Sequence, residues 1–231
     1  MNELDQFEFS TKDGFNSVLI KERYDTLQRF FKGDSCLELG CADGEGTKIL
    51  LQNFKRVVGV DGSGRLIKQA KANIKDRKVE FVCSYFEHFK TKERFDVIYL
   101  GHILEHVDNP IIVLKDTKTF LKKDGIMIID VPNAMSIHRQ AGVLMGTLKN
   151  EYELNDADRS IGHKRVYDLG LLKKDITKAG LEVIEEGDIF IKPFPNNTML
   201  KLINNNNLKA YSHLGAKYPE IAAEIYIICK V

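Results

Sequence analysis

From residue 34 to residue 132, short apolar runs rich in valine and isoleucine alternate with longer segments of helical period. In order they read SCLELG, GTKILLQNF, VVGVD, GRLIKQAKANI, VEFV, FDVIYL, PIIVLKDTKTFLKK and GIMIIDVP. Strands buried on both faces read as near-continuous apolar runs. Strands separated by helices pair in parallel, with the helices packed on both faces of the sheet. The punctuation agrees: Asn109-Pro110 reads as an N-cap followed by proline at the first helical position, and Lys123-Asp124-Gly125 as a turn into a strand. The fold class is therefore α/β.

Around this core the chain divides into further segments. Residues 1–33, containing FNSVLIKERYDTLQRFF, are predicted to form an N-terminal helical cap, and residues 34–131 the ligand-binding core. After Pro132 the rhythm breaks. Residues 132–163 are too long and polar for an ordinary helix-to-strand connection, and long insertions of this kind are often functional. Alternation resumes with DLGLLKKDITKAG and LEVIEEGDIFI, and the chain closes on the apolar AAEIYIICKV. Residues 192–220 form a second polar insertion, in which four consecutive asparagines mark a loop or a helix end. All segments are expected to belong to one domain, as a monomer or homodimer.

Charge and cysteine usage exclude several function classes. Lys plus Arg number 34 against 33 Asp plus Glu, a formal charge of +1, so no field draws in nucleic acid or an anionic membrane. The four cysteines have no CxxC spacing, and Cys36 and Cys229 fall inside apolar runs, which predicts reduced thiols. The start, MNELDQFEFS, has no apolar segment, and no eighteen apolar residues run together, so a cytoplasmic location is expected.

The run CLELGCADGEGT takes a strand directly into a glycine-rich turn and a helix. Glycine lets backbone N–H groups approach a ligand closely, and Asp61, ending VVGVD about twenty residues on, is placed to accept the hydroxyls of a ribose. That is the grammar of adenosine-containing ligands. A dinucleotide fingerprint needs GxGxxG, whereas Gly40, Gly44 and Gly46 give GxxxGxG, and Glu38 suits a ligand with an ammonium group. A nicotinamide-dependent oxidoreductase is thus the weaker enzyme reading, and a non-catalytic binder the other alternative.

The sequence resembles the class I S-adenosylmethionine-dependent methyltransferases. The resemblance runs over residues 34–190 through Glu38-Leu39-Gly40-Cys41-Ala42-Asp43-Gly44, Asp61, FDVIYL with Asp96, LEHVDNP and HKRVYDLGLLKKDITKAGLEVIEE. It implies a Rossmann-like, seven-stranded, mainly parallel sheet with an antiparallel last strand and helical insertions over the acceptor pocket. Glu38, Gly40, Cys41, Ala42 and Gly44 would line the amino-acid end of S-adenosyl-L-methionine, with Asp61 on the ribose and Gly62 and Ser63 against the adenine. Tyr85 replaces the acid usual in the third motif, so Phe86 would stack on the base, and Leu100 and Gly101 would complete the wall. Ala42, where a glycine is common, is tolerated if its φ stays negative. S-adenosyl-L-homocysteine would be the product.

GHILEHVDNP follows the fourth strand, where ligands of open α/β sheets lie, and a helical turn there would put His102, Glu105 and His106 on one face. The cluster admits a base, a metal site or a structural turn. LEHV resembles a turn found in many class I members that bind no metal, which makes His102 the unusual residue. RNA 3′-end methyltransferases look similar here and use such a turn for metal, with His138 or His163 as a distant fourth ligand. A divalent metal is not expected. His102, His106 and His163 are the candidate catalytic residues, and His138, Arg139 and Arg165 the candidate substrate-binding residues, the arginines suiting an anionic small-molecule acceptor. The predicted activity is O-methylation of a hydroxyl, carboxylate or phosphate-type oxygen, in a bacterial surface-glycan or secondary-metabolite pathway.

Overall fold

The computed structural model of the protein describes Leu4 and residues 14–231, so most of MNELDQFEFS and the first part of the predicted cap lie outside the described residues. The predicted core strands are β1 (Ser35–Leu39), β2 (Arg56–Asp61), β3 (Val79–Cys83), β4 (Phe95–Gly101) and β5 (Leu121–Pro132). Between them lie α2 (Glu45–Asn53), α3 (Gly64–Asn73) and α4 (Pro110–Lys118), and α1 (Gly14–Leu27) precedes them all. The chain then forms α5 (Ile137–Leu144), α6 (Asp156–Ser160), α7 (Leu169–Lys178), β6 (Glu182–Ile189), α8 (Asn196–Leu202), α9 (Asn205–Lys217) and β7 (Glu224–Lys230).

One sheet of seven strands runs in the order β3-β2-β1-β4-β5-β7-β6. Strands β1 to β5 pair in parallel, and β7 is antiparallel to both β5 and β6, as the family resemblance implied for the last strand. The order reverses between β1 and β4. At such a switch point adjacent connections leave toward opposite faces and open a crevice at the carboxyl ends of the strands.

Alternation along each strand sends neighbouring side chains to opposite faces. Leu37, Leu39, Ile98, Leu100 and Ile129 pack with Val113 and Leu114 of α4 and Leu172 and Ile176 of α7. Cys36, Val57, Val97, Tyr99 and Ile128 pack with Phe15, Leu19 and Leu27 of α1 and Leu50 of α2. Each such aliphatic side chain contributes roughly 1.5–3 kcal/mol when fully buried.

Local signals set the helix starts. Asn109 accepts the Ile112 N–H at 3.1 Å with Pro110 at the first turn. Asn204 and Asn207 form a reciprocal capping box, so the asparagine run is a helix terminus. All four cysteines are free, but Cys83 is exposed, unlike Cys36, Cys41 and Cys229. No helix among the described residues is long and apolar enough to cross a membrane.

Candidate functional site

The loop after β1 and the end of β2 meet at Asp61. Its Oδ2 accepts the Ala42 N–H at 3.0 Å and its Oδ1 the Ser63 N–H at 2.8 Å, so one carboxylate ties both loops together. Gly40 (φ 82°) and Gly44 (φ 90°) occupy the left-handed region, and a Cβ on Gly40 would fall 2.1 Å from Ile103 Cδ1. Ala42 also has positive φ, at 46°, contrary to the expectation of a negative value. The cost of about 1–2 kcal/mol for such a residue is offset by the Asp61 bond, which holds its N–H in place.

Glu38 is 2% exposed. Tyr24 Oη donates to its Oε1 at 2.8 Å and Thr47 Oγ1 to its Oε2 at 2.5 Å. Burial pushes this carboxyl up to about 7 despite the two hydroxyl donors, and the nearby Asp61 adds to the rise.

Beside this loop, at the carboxyl ends of β4 and β5, a buried polar network is built around Arg23 of α1. Arg23 donates to Glu224 of β7 through Nε at 2.9 Å and Nη2 at 2.8 Å, and its Nε lies 2.9 Å from Asp130 Oδ1. Its Nη2 is also 2.7 Å from His102 Nε2. A guanidinium can only donate, so His102 accepts at Nε2 and carries its proton on Nδ1, which lies 3.5 Å from Glu105 Oε1. Burial and the Arg23 charge hold His102 down at about 4, so the ring is neutral. Its backbone is left-handed (φ 54°) and is pinned by its N–H donating to the Asp130 carbonyl at 2.9 Å.

The end of the first insertion is stitched onto the turn after β4. The Lys164 N–H donates to the Glu105 carbonyl at 2.7 Å, and Arg165 Nη1 donates to the carbonyls of Leu104 and Val107 at 2.6 and 2.5 Å. This brings His163 against His106, ring centroids 4.7 Å apart and edge to face. Burial and the neighbouring His163 hold His106 near 3, and burial raises Glu105 to about 8.

Residues 15–186 match a family model described as a methyltransferase domain. The chain belongs to that family.

The ubiquinone biosynthesis O-methyltransferase of Pelagibacter ubique (strain HTCC1062) is 30% identical over 136 residues, which is 54% of this chain and 57% of that protein. The trans-aconitate 2-methyltransferase of Enterobacter sp. (strain 638) is 28% identical over 111 residues, 47% of this chain and 42% of that one. The chain thus matches about half the length of these curated relatives. Among solved structures, an S-adenosylmethionine-dependent methyltransferase from Mesorhizobium loti superimposes with a TM-score of 0.63 at 12% identity. The match covers 91% of this chain and 98% of that one, a likeness of fold.

Within the methyltransferase fold, the predicted residues divide into those the site can use and those the structure spends elsewhere. Gly40, Ala42, Gly44 and Asp61 meet at the loop crossing, with Glu38 beneath it, and a Cβ at Gly40 or Gly44 would press on Ile103 or on Ile74 and Ala70. Cys41 and Leu100 point into the core, so each can offer only backbone. Ser63 Oγ accepts the Leu66 N–H at 3.2 Å, which makes it the N-cap of α3. Tyr85 is exposed and Phe86 partly buried on the core edge, while Gly62 lies on the loop after β2 and Gly101 is the last residue of β4.

The anion-binding role expected of the two arginines is not what the structure shows. Arg139 is turned inward onto the Glu151 carbonyl (2.7 Å), the Glu153 carbonyl and Asp158 (3.1 Å), and Arg165 onto carbonyls of the turn after β4. The cation sequence reasoning missed is Lys192, which burial lowers to about 8 between Glu224 and Asp158. Nearby, the buried Nδ1 of His138 has no hydrogen-bond partner among the described residues. Arg23, Asp130 and Glu224 were also missed, although Asp130 in GIMIIDVP and Glu224 in AAEIYIICKV are acids inside apolar strands, a readable signal of buried charge. Asp96, matched to the fourth-strand motif, is at the opposite end of β4. It accepts the Asp34 and Ser35 N–H groups at 3.0 and 2.9 Å and pairs with Lys122.

Proposed function

We propose that the protein transfers the methyl group of S-adenosyl-L-methionine to an oxygen of a small-molecule acceptor lying over the ends of β4 and β5. The observation that carries this reading is the Asp61 carboxylate bridging the β1 and β2 loops beside the switch point, with β1 alone between β2 and the strand that leads to a neutral, fixed His102. S-adenosyl-L-methionine supplies an electrophilic methyl on a sulfonium, so the protein's task is alignment and exclusion of water. Asp61 would hold the ribose and Glu38 the ammonium. The acceptor's oxygen lone pair forms the new O–C bond as the S–C pair stays on sulfur. A carboxylate acceptor arrives ionised, whereas a hydroxyl must also lose a proton.

His102 is better suited to orient an acceptor than to take its proton, because its Nε2 lone pair already meets Arg23. The insertions at 132–163 and 192–220 would cover the acceptor, and Lys192 would meet any anionic group on it. A relative named as an O-methyltransferase and one named for trans-aconitate support an oxygen acceptor. The acceptor would be a bacterial surface-glycan or secondary-metabolite precursor carrying such an oxygen. The test is mass spectrometry of a metabolite extract incubated with the protein and methyl-labelled cofactor. A labelled small molecule that depends on His102 is expected, and label appearing only in protein or nucleic acid would refute the acceptor class.

A further inference from the structure

One glycine of the GxxxGxG run takes no part in the loop crossing. Gly46 lies in the first turn of α2, and glycine is a poor helix former. A Cβ at Gly46 would fall 2.0 Å from Tyr24 Oη and 2.6 Å from Tyr24 Cζ. The missing side chain thus leaves the passage through which Tyr24 of α1 reaches the end of β1. There Tyr24 Oη donates to Glu38 Oε1 at 2.8 Å, while Thr47, the residue after Gly46, donates to Oε2 at 2.5 Å.

Tyr24 is held in this passage from several sides. Its ring meets Tyr99 edge to face at 5.1 Å and Phe31 at 6.1 Å. The preceding residue, Arg23, anchors α1 on Glu224 and Asp130. Burial and the Glu38 carboxylate push the Tyr24 phenol well above its ordinary value, so it stays protonated and can go on donating. Glu38 is also faced by Asp61 at the end of β2, by the thiols of Cys36 and Cys41, and by Tyr99, its register partner on β4. Asp61 opposes ionisation of Glu38, and the two hydroxyls favour it. Packing alone would be served by a phenylalanine at position 24.

We propose that Tyr24 is a positioning residue of the cofactor site: admitted by Gly46, its hydroxyl aims the Glu38 carboxylate at the ammonium of S-adenosyl-L-methionine and favours its charged form. The role rests on the methyltransferase reading above. It also gives Gly46 a use other than the phosphate contact of a dinucleotide fingerprint.

The test is calorimetric titration of S-adenosyl-L-homocysteine into the full chain from pH 6 to pH 8. Wild type should bind more tightly as pH rises. Tyr24→Phe removes one donor to the carboxylate, so the rise should move up by about one pH unit, and affinity at pH 7 should fall roughly fivefold. Thr47→Val should move the rise in the same direction, and Thr47→Ser, which keeps a hydroxyl, should restore it. Gly46→Ala should reproduce the Tyr24→Phe profile, and combining the two should move it little further. A wild-type profile in Gly46→Ala would overturn the passage. A profile unmoved in Tyr24→Phe, or affinity lowered equally at every pH as a packing defect would do, would overturn the positioning role and leave the methyltransferase reading standing. Absence of binding by the wild type would sink that reading and this role with it.

Discussion

Replacing Arg23 by methionine tests the buried network directly. The change keeps most of the side-chain volume but removes the only cation shown bonded to Asp130 and Glu224 among the described residues, and those acids are 0% and 2% exposed. Removing one partner of a buried pair costs about 3–5 kcal/mol, because the other charge is left in a low dielectric. Burial and the neighbouring Glu224 already lift Asp130 well above the usual carboxylate range, so without the guanidinium it can take a proton and relieve part of the loss. The lower end, about 3 kcal/mol, is therefore expected. For a domain of this length each kcal/mol moves the melting temperature by about 2–4 °C, so Arg23→Met should melt about 6–12 °C below the wild type by scanning calorimetry at pH 7.5. Adding Glu224→Gln should recover a large part of that drop, since the stranded charge goes with it. A melting temperature within about 2 °C of wild type, or no recovery in the double variant, would refute the idea that the guanidinium compensates these acids.

Other consequences are checked on the ligand side. His102→Ala should lower turnover far more than cofactor affinity, read as kcat against the S-adenosyl-L-homocysteine dissociation constant, and equal losses in both would place the ring in the cofactor site instead. Gly40→Ala combines a positive φ with a Cβ crowding Ile103 and should destabilise by about 1–3 kcal/mol in a urea titration. Glu38, raised to about 7 beside Tyr24, Asp61, Cys36 and Cys41, holds a proton in the folded state between its unfolded value of 4.5 and 7. Folded protein thus binds more protons in that window, so this group's contribution to stability falls as pH rises through it. An ammonium ligand prefers the ionised carboxylate, so affinity should rise from pH 6 to pH 8 with release of a proton, and Glu38→Gln should flatten the profile. A flat wild-type profile would contradict that pairing.

The core strands were legible because burial on both faces forces β-branched apolar runs, and the loop glycines because positive φ and close approach demand them. Asp61 was legible from its place at the end of the second strand. What escaped was pairing between distant positions. Arg23 meets Glu224 201 positions away, and only the tertiary fold brings α1 against β7. Arg139 and Arg165 read as anion binders because their charge is visible in sequence, while the carbonyls that occupy them are not. His163 was picked out by type, but its contact with His106 depends on the stitching of residues 164 and 165 to the turn after β4. Asp96 carries the opposite lesson: it matches a motif, yet its partners tie β1 and β5 to the far end of β4.

The crossing of two loops at Asp61 is proposed to hold S-adenosyl-L-methionine. Calorimetric titration of S-adenosyl-L-homocysteine into wild type and Asp61→Ala tests it most directly. Wild type should give one-to-one binding. Loss of bonds to a charged acceptor, about 1.5–3 kcal/mol, should weaken the variant roughly 10–150-fold. Absence of binding by the wild type, or the same affinity in Asp61→Ala, would contradict it.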